Sequence, residues 1–183
     1  MRLFVGMPLP DAVLAELSAV VARLRSGADG LRWMERDSWH ITLQFLGNTE
    51  QERYECLVAR LGAMRFAPVP MRLGDLGRFD RAGVFFVDVA VGPELVSLAE
   101  RVRAATNPCG FVEEPRHFHP HITLARAKGQ GRGGSLRALA AGIQLKPVFS
   151  PFVAKEFLLY ESHLSAGGAR YEVRARYPLG AGG

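Results

Sequence analysis

The sequence is short of cysteine, of lysine and of long apolar runs. Its 183 residues hold two cysteines, Cys56 and Cys109. Two thiols make no disulfide framework, and their spacing matches no metal motif. Cys56 falls within a segment of helical pattern and reads as a packing residue, and Cys109 lies in the loop "NPCGF". No apolar run reaches the roughly 20 residues that cross a bilayer. The start, "MRLFVGMPLPDAV", has neither a long apolar stretch nor a cleavage signature. It reads as a first strand, and the expectation is a cytoplasmic protein with no membrane partner. Lysine occurs only at 128, 146 and 155; the other basic residues are arginines, and the net charge is +5. Arginine forks suit phosphate, so an anionic partner fits, although no dense basic run occurs. The apolar share of 48% supplies a core and argues against disorder.

The chain contains itself twice. "HITL" stands at 40–43 and again at 121–124, an offset of 81. The same offset sets Leu3 on Val84, Phe4 on Phe85, Leu17 on Leu98 and Val21 on Val102, with no gap. Each copy reads as strand, helix, strand. "RLFVGMPL" and "GVFFVDVAV" are the first strands. The helices are "DAVLAELSAVVARLRSG", with Asp11 as N-cap and Gly27 as stop, and "GPELVSLAERVRAA", with Pro93 at its start. "TEQERYECLVARLGAM" predicts a helix opened by a Thr49–Glu52 capping box, and "GSLRALAAGI" is its counterpart in the second copy. "PVPMRLGDLGRF" reads as one strand, and "FVAKEFLLYES" and "ARYEVRARY" as a hairpin around "SAGG". The terminal "LGAGG" reads as frayed. The expected fold is α+β, a bilobal, pseudo-twofold duplicate with two antiparallel sheets flanking a cleft and helices outside. It spans 1–183 as one domain, with repeats at about 2–65 and 83–143 and strands at about 146–178 completing the sheets.

Side chains alternate along a strand. In "WHITL", Trp39, Ile41 and Leu43 share one face, and His40 and Thr42 the other; in the second copy His121 and Thr123 share the polar face. Two such faces brought together put two imidazoles and two hydroxyls in one cleft. That set suits phosphoryl chemistry without a metal. One histidine removes a proton from the attacking oxygen and the other gives one to the leaving oxygen. The threonines donate to non-bridging oxygens. One H-x-T on a strand means little; two at matched positions of a repeat point to function.

These residues resemble the two-histidine phosphoesterase superfamily, marked by paired H-x-T/S-x motifs. With "RLFVGMPLP", "HITLQFLG", "HPHITLAR" and "LLYESHLSAGGARYEV", the chain is similar to the RNA 2',3'-cyclic phosphodiesterases, also described as 2'-5' RNA ligase-like proteins. The resemblance covers nearly the whole chain. It implies hydrolysis of a terminal 2',3'-cyclic phosphate to a 2'-phosphate, with weak reversible 2'-5' ligation, no cofactor and no metal. By analogy His40 is the proton donor to O3' and His121 the proton acceptor, with Thr42 and Thr123 beside them. The implied partners are RNA ends or nucleoside 2',3'-cyclic phosphates, met by a monomer. Phe45 and Arg126, five residues after each histidine, are candidate nucleoside and phosphate contacts. Strand parity turns them away from the histidine face unless a bulge or strand end intervenes. Ala166 stands where these proteins often carry proline.

Rival readings stay open. His117, His119 and His121 could form a metal site, although Pro120 interrupts the strand and only His121 has a twin in the first repeat. The chain could instead bind RNA ends without turnover, or take another cyclic phosphate such as that of an ADP-ribose derivative. His163, with no partner evident in the sequence, reads as a surface residue.

Overall fold

The computed structural model describes residues 1–25, 30–112, 118–128, 139, 145–165 and 168–180. In chain order these form β1 (Arg2–Met7), α1 (Asp11–Arg25), β2 (Leu31–Trp33), β3 (Ile41–Asn48), α2 (Gln51–Gly62), β4 (Val69–Met71), β5 (Leu73–Phe79), β6 (Val84–Val89), α3 (Pro93–Thr106), β7 (His121–Ala127), β8 (Phe152–Ala154), β9 (Glu156–Ser165) and β10 (Gly168–Pro178). Two four-stranded sheets run β10-β9-β1-β3 and β2-β7-β6-β5, and β4 pairs with β8. Every pairing is antiparallel. The fold is therefore α+β with two antiparallel sheets, and β3 and β7 approach each other where the sheets meet. "FVAKEFLLYES" divides into β8, which pairs with β4, and β9, which enters the first sheet with β10; β5 and β2 fill the edges of the second.

One core joins the sheets to the helices. Leu17 and Val21 of α1 and Leu98 and Val102 of α3 are buried with Val5, Ile41, Val87 and Ile122. Burying each such side chain contributes about 1.5–3 kcal/mol. A separate small cluster of Phe4, Leu158 and Tyr160, with Tyr171 against it, lies on the other face of the first sheet.

Strand pairing corrects the repeat alignment. Phe4 pairs with Phe45, and Gly6 with Thr42. In the second sheet Val84 pairs with Arg126, and Phe86 with Thr123. Phe45 and Arg126 are 81 apart, as are Thr42 and Thr123, so Phe4 corresponds to Val84 and Gly6 to Phe86, an offset of 80. Phe85 accordingly enters the main core, whereas Phe4 does not. The connection to the helix is one residue longer in the second copy. In both sheets the register shifts at the same place, between Val5 and Gly6 and between Phe85 and Phe86, which bulges the motif strands at Leu43 and Leu124. That extra residue reverses side-chain parity. It returns Phe45 and Arg126 to the histidine side.

Several local expectations change. Helix α2 is capped at Glu50 with no side-chain bond, and the Thr49 hydroxyl donates to the Gly47 carbonyl instead, so no capping box forms. Asp11 is the first residue inside α1, not its cap. "PVPMRLGDLGRF" divides into β4 and β5, which pair with β8 and β6 respectively. Cys56 and Cys109 form a disulfide with Cα atoms 5.7 Å apart, joining α2 to the turn after α3. Two separate thiols were expected; the topology folds the end of α3 back onto α2. Gly27, most of "GSLRALAAGI", Ala166 and the last three residues lie outside the described residues.

Candidate active site

His40 immediately precedes β3 and His121 opens β7. Their rings are held alike. Nδ1 of His40 lies 2.7 Å from the Ser38 carbonyl oxygen, and Nδ1 of His121 lies 2.8 Å from that of His119. A carbonyl only accepts, so Nδ1–H donates in each and Nε2 is left for chemistry. Repeating this clamp two residues upstream of both histidines fixes the same tautomer twice.

Each imidazole rests on aromatic rings. Phe4 lies 4.6 Å from His40 between centroids, and Tyr171 stands edge-on at 4.9 Å. Tyr160, stacked on Phe4 at 4.9 Å, is 5.6 Å from His40. Around His121, Phe79 is 5.1 Å away and Phe86 5.2 Å. Gly6 makes room on the first side: a Cβ there would come within 2.9 Å of the Ile41 carbonyl oxygen and 3.5 Å of His40 Cδ2.

Burial disfavours the charged imidazole. It is the main reason the His40 pKa falls to about 4, helped by the charges of His121 and Arg126 and opposed by the bond to Ser38. His121 is lowered by burial too, with His119 and Arg126 adding to the effect; its backbone bond and the Asp88 carboxylate oppose it. Asp88 acts on His121 and not on His40. It lies opposite His121 in the β6–β7 ladder and holds His119 Nε2 at 2.6 Å.

The expected site residues fall as follows. Thr42 and Thr123 are half-buried, two residues beyond each histidine and before the bulge. Arg126 is exposed and its charge acts on both histidines. Phe45 is 64% exposed, with its ring 6.1 Å from Phe4. His117 lies outside the described residues. His119 is engaged by Asp88, its ring 6.1 Å from that of His121. His163 is exposed and paired with Glu172 at 3.1 Å. Sequence reasoning missed the rings beneath the histidines and the Asp88–His119 pair. A period-two reading of β1 and β6 with the repeat offset at 80 would have found Phe4, Phe86 and Asp88 on the histidine side.

A family model described as the 2'-5' RNA ligase superfamily matches residues 9–162. An RNA 2',3'-cyclic phosphodiesterase of Archaeoglobus fulgidus is 30% identical over 70% of this chain and 73% of its own. One from Escherichia coli is 29% identical over 97% and 96%. Among solved structures, E. coli LigT complexed with 3'-AMP superposes with a TM-score of 0.80 at 28% identity, over 97% of each chain. TT0787 of Thermus thermophilus does so at 0.77 and 28%, over the whole of both chains. The family match takes in both histidine motifs, and the chain belongs to the 2'-5' RNA ligase superfamily.

Proposed function

We propose that the protein hydrolyses the terminal 2',3'-cyclic phosphate of RNA to a 2'-phosphate, using His40 and His121 as an acid–base pair. The observation that carries this is the matched clamp on the two imidazoles, which presents two Nε2 atoms of defined tautomer. Relatives named RNA 2',3'-cyclic phosphodiesterase support it, and the superfamily's name supports a weak reverse joining to a 2'-5' linkage.

In the proposed step water attacks phosphorus opposite O3'. His121 Nε2 takes the proton from water as the P–O bond forms. His40 Nε2 delivers a proton to O3' as the P–O3' bond breaks, and the product is a 2'-phosphate with a free 3'-hydroxyl. Burial makes protonated His40 a strong acid, and Asp88 makes His121 the better base. An anionic phosphate favours the protonated form of His40, and Arg126 offsets the charge that develops on the phosphoryl oxygens. Thr42 and Thr123 donate to those same oxygens, and Phe45 offers its exposed ring to the nucleoside. Both histidines come from one chain, so a monomer suffices. The reading puts the enzyme with RNA in the cytoplasm.

The test is incubation with a nucleoside 2',3'-cyclic phosphate in EDTA. The expected product is the 2'-phosphate, and His40→Ala and His121→Ala should each lower kcat about 10²–10⁴-fold. A 3'-phosphate product would reverse the leaving group, and activity restored only by a divalent ion would favour the histidine–metal reading.

A further inference from the structure

Beside the histidines an open cavity of about 900 Å³ runs along the β2 edge of the second sheet to the start of β10. Its wall includes Tyr171, the ring that stands edge-on to His40, so cavity and site adjoin. Four cations line it, Arg25, Arg32, Lys128 and Arg170, against Glu35 and Asp37. Arg25 is engaged by Glu35 at 3.6 Å. That leaves Arg32, Lys128 and Arg170 against Asp37, so the lining keeps an excess of positive charge.

Arg32 is the informative member. It lies directly opposite Arg126 in the β2–β7 ladder, and both are exposed. Like charges facing each other across a ladder destabilise it. Among the described residues neither has a carboxylate within ion-pair distance. An anion placed along these two guanidinium groups would turn the repulsion into binding. Beyond Arg126, Arg32 stands with Lys128 and Arg170 on the cavity wall.

We propose that Arg32, Lys128 and Arg170 form a track for the phosphodiester backbone of single-stranded RNA, carrying the strand that lies 5' of the terminal cyclic phosphate. This rests on the proposed hydrolysis and adds the residues that make it favour an oligoribonucleotide over a mononucleotide. A 2',3'-cyclic phosphate closes the 3' end of a chain, so the only continuation runs 5'-ward, and its next charges are phosphodiesters. A cationic groove of this kind follows a single strand with little regard to sequence. A mononucleotide has no phosphodiester to place there.

The test compares kcat/KM for an oligoribonucleotide ending in a 2',3'-cyclic phosphate with that for the nucleoside 2',3'-cyclic phosphate, in wild type, Arg32→Ala and Arg170→Ala. Anisotropy of a labelled oligoribonucleotide bearing a 2'-phosphate end gives binding independently. Arg32→Ala should reduce kcat/KM for the oligonucleotide about tenfold more than for the mononucleotide, as loss of one charge-assisted contact implies. It should weaken binding by a similar factor and flatten the log-affinity against log-salt slope by about 0.7. Equal losses on both substrates would place Arg32 at the reacting phosphate and overturn the track, as would no loss on either. If the wild type turned over neither substrate, the hydrolytic reading would fall. Binding would then decide the track alone: a tenfold loss in Arg32→Ala supports it, and unchanged affinity overturns it. Circular dichroism checks that both exposed-site variants fold.

Discussion

A single half-buried imidazole links the candidate site to the stability of the fold. His40 has its pKa lowered to about 4, chiefly by burial, so the folded state holds it neutral while the unfolded chain titrates near 6.5. Between those values the unfolded state binds more protons, and stability rises with pH. This contribution is complete above pH 6.5 and is lost as the pH falls towards 4. Denaturant titrations in phosphate-free buffer should show wild type losing about 3 kcal/mol more than His40→Gln between pH 7.5 and 4. Parallel curves for the two proteins would mean that His40 is not buried as described. His121 pushes in the same direction, with Asp88 opposing it.

At the level of the strand, the site depends on one close approach. Gly6 of β1 lies opposite Thr42, and a Cβ there would meet the Ile41 carbonyl oxygen at 2.9 Å and Tyr160 at 3.3 Å. The carbonyl cannot yield without moving the strand that follows His40. Gly6→Ala should therefore cost about 1–3 kcal/mol and lower kcat by roughly 10²-fold through a displaced imidazole. Gly47 provides the contrast: it has φ of 73° but nothing within 4 Å of an added Cβ. Gly47→Ala should cost about 1 kcal/mol for backbone strain alone and leave kcat within twofold. Thermal melts with steady-state kinetics on both variants separate the two cases. Glycine at position 6 also shows where the sequence was legible and where it was not. The H-x-T pairs and the helices α1 and α3 could be read, because Leu17 and Leu98, or Val21 and Val102, keep one spacing. The first strands could not be placed to the residue. At an offset of 81 Leu3, Phe4 and Val5 meet apolar residues, and at 80 Phe4, Val5 and Met7 do, so apolar matching alone did not show the offset of 80. A strand's apolar content states its burial; only its ladder states which face each residue takes. The bulges at Leu43 and Leu124 were legible just as a conflict, through Phe45 and Arg126, and the disulfide depended on a contact between elements far apart in the chain.

Across the whole molecule, the two repeats are tied through their helices. Helix α2 follows the first motif and α3 belongs to the second copy, and Cys56 on α2 is bonded to Cys109 just beyond α3. Arg53, one turn before Cys56, reinforces the junction. Its Nε and Nη2 donate to the carbonyls of Cys109 and Gly110 at 3.0 and 2.6 Å, and its guanidinium lies 3.9 Å over the Phe111 ring. The bridge closes a loop of 53 residues in sequence separation. In the chain-entropy account a loop of that length lowers the freedom of the unfolded state by about 4 kcal/mol. Little of that stabilisation is spent on the site itself, because the histidines are held by carbonyls and aromatic rings of the sheets. Reduction should therefore lower the denaturant midpoint, by up to about 4 kcal/mol of stability, while kcat at moderate temperature changes less than twofold. The Cys56→Ala/Cys109→Ala protein should match the reduced wild type in both respects. Thiol titration of the unfolded, unreduced protein gives the control: no free thiol is expected. Two free thiols, with the same midpoint with and without reductant, would show that Arg53 and the core hold the junction unaided.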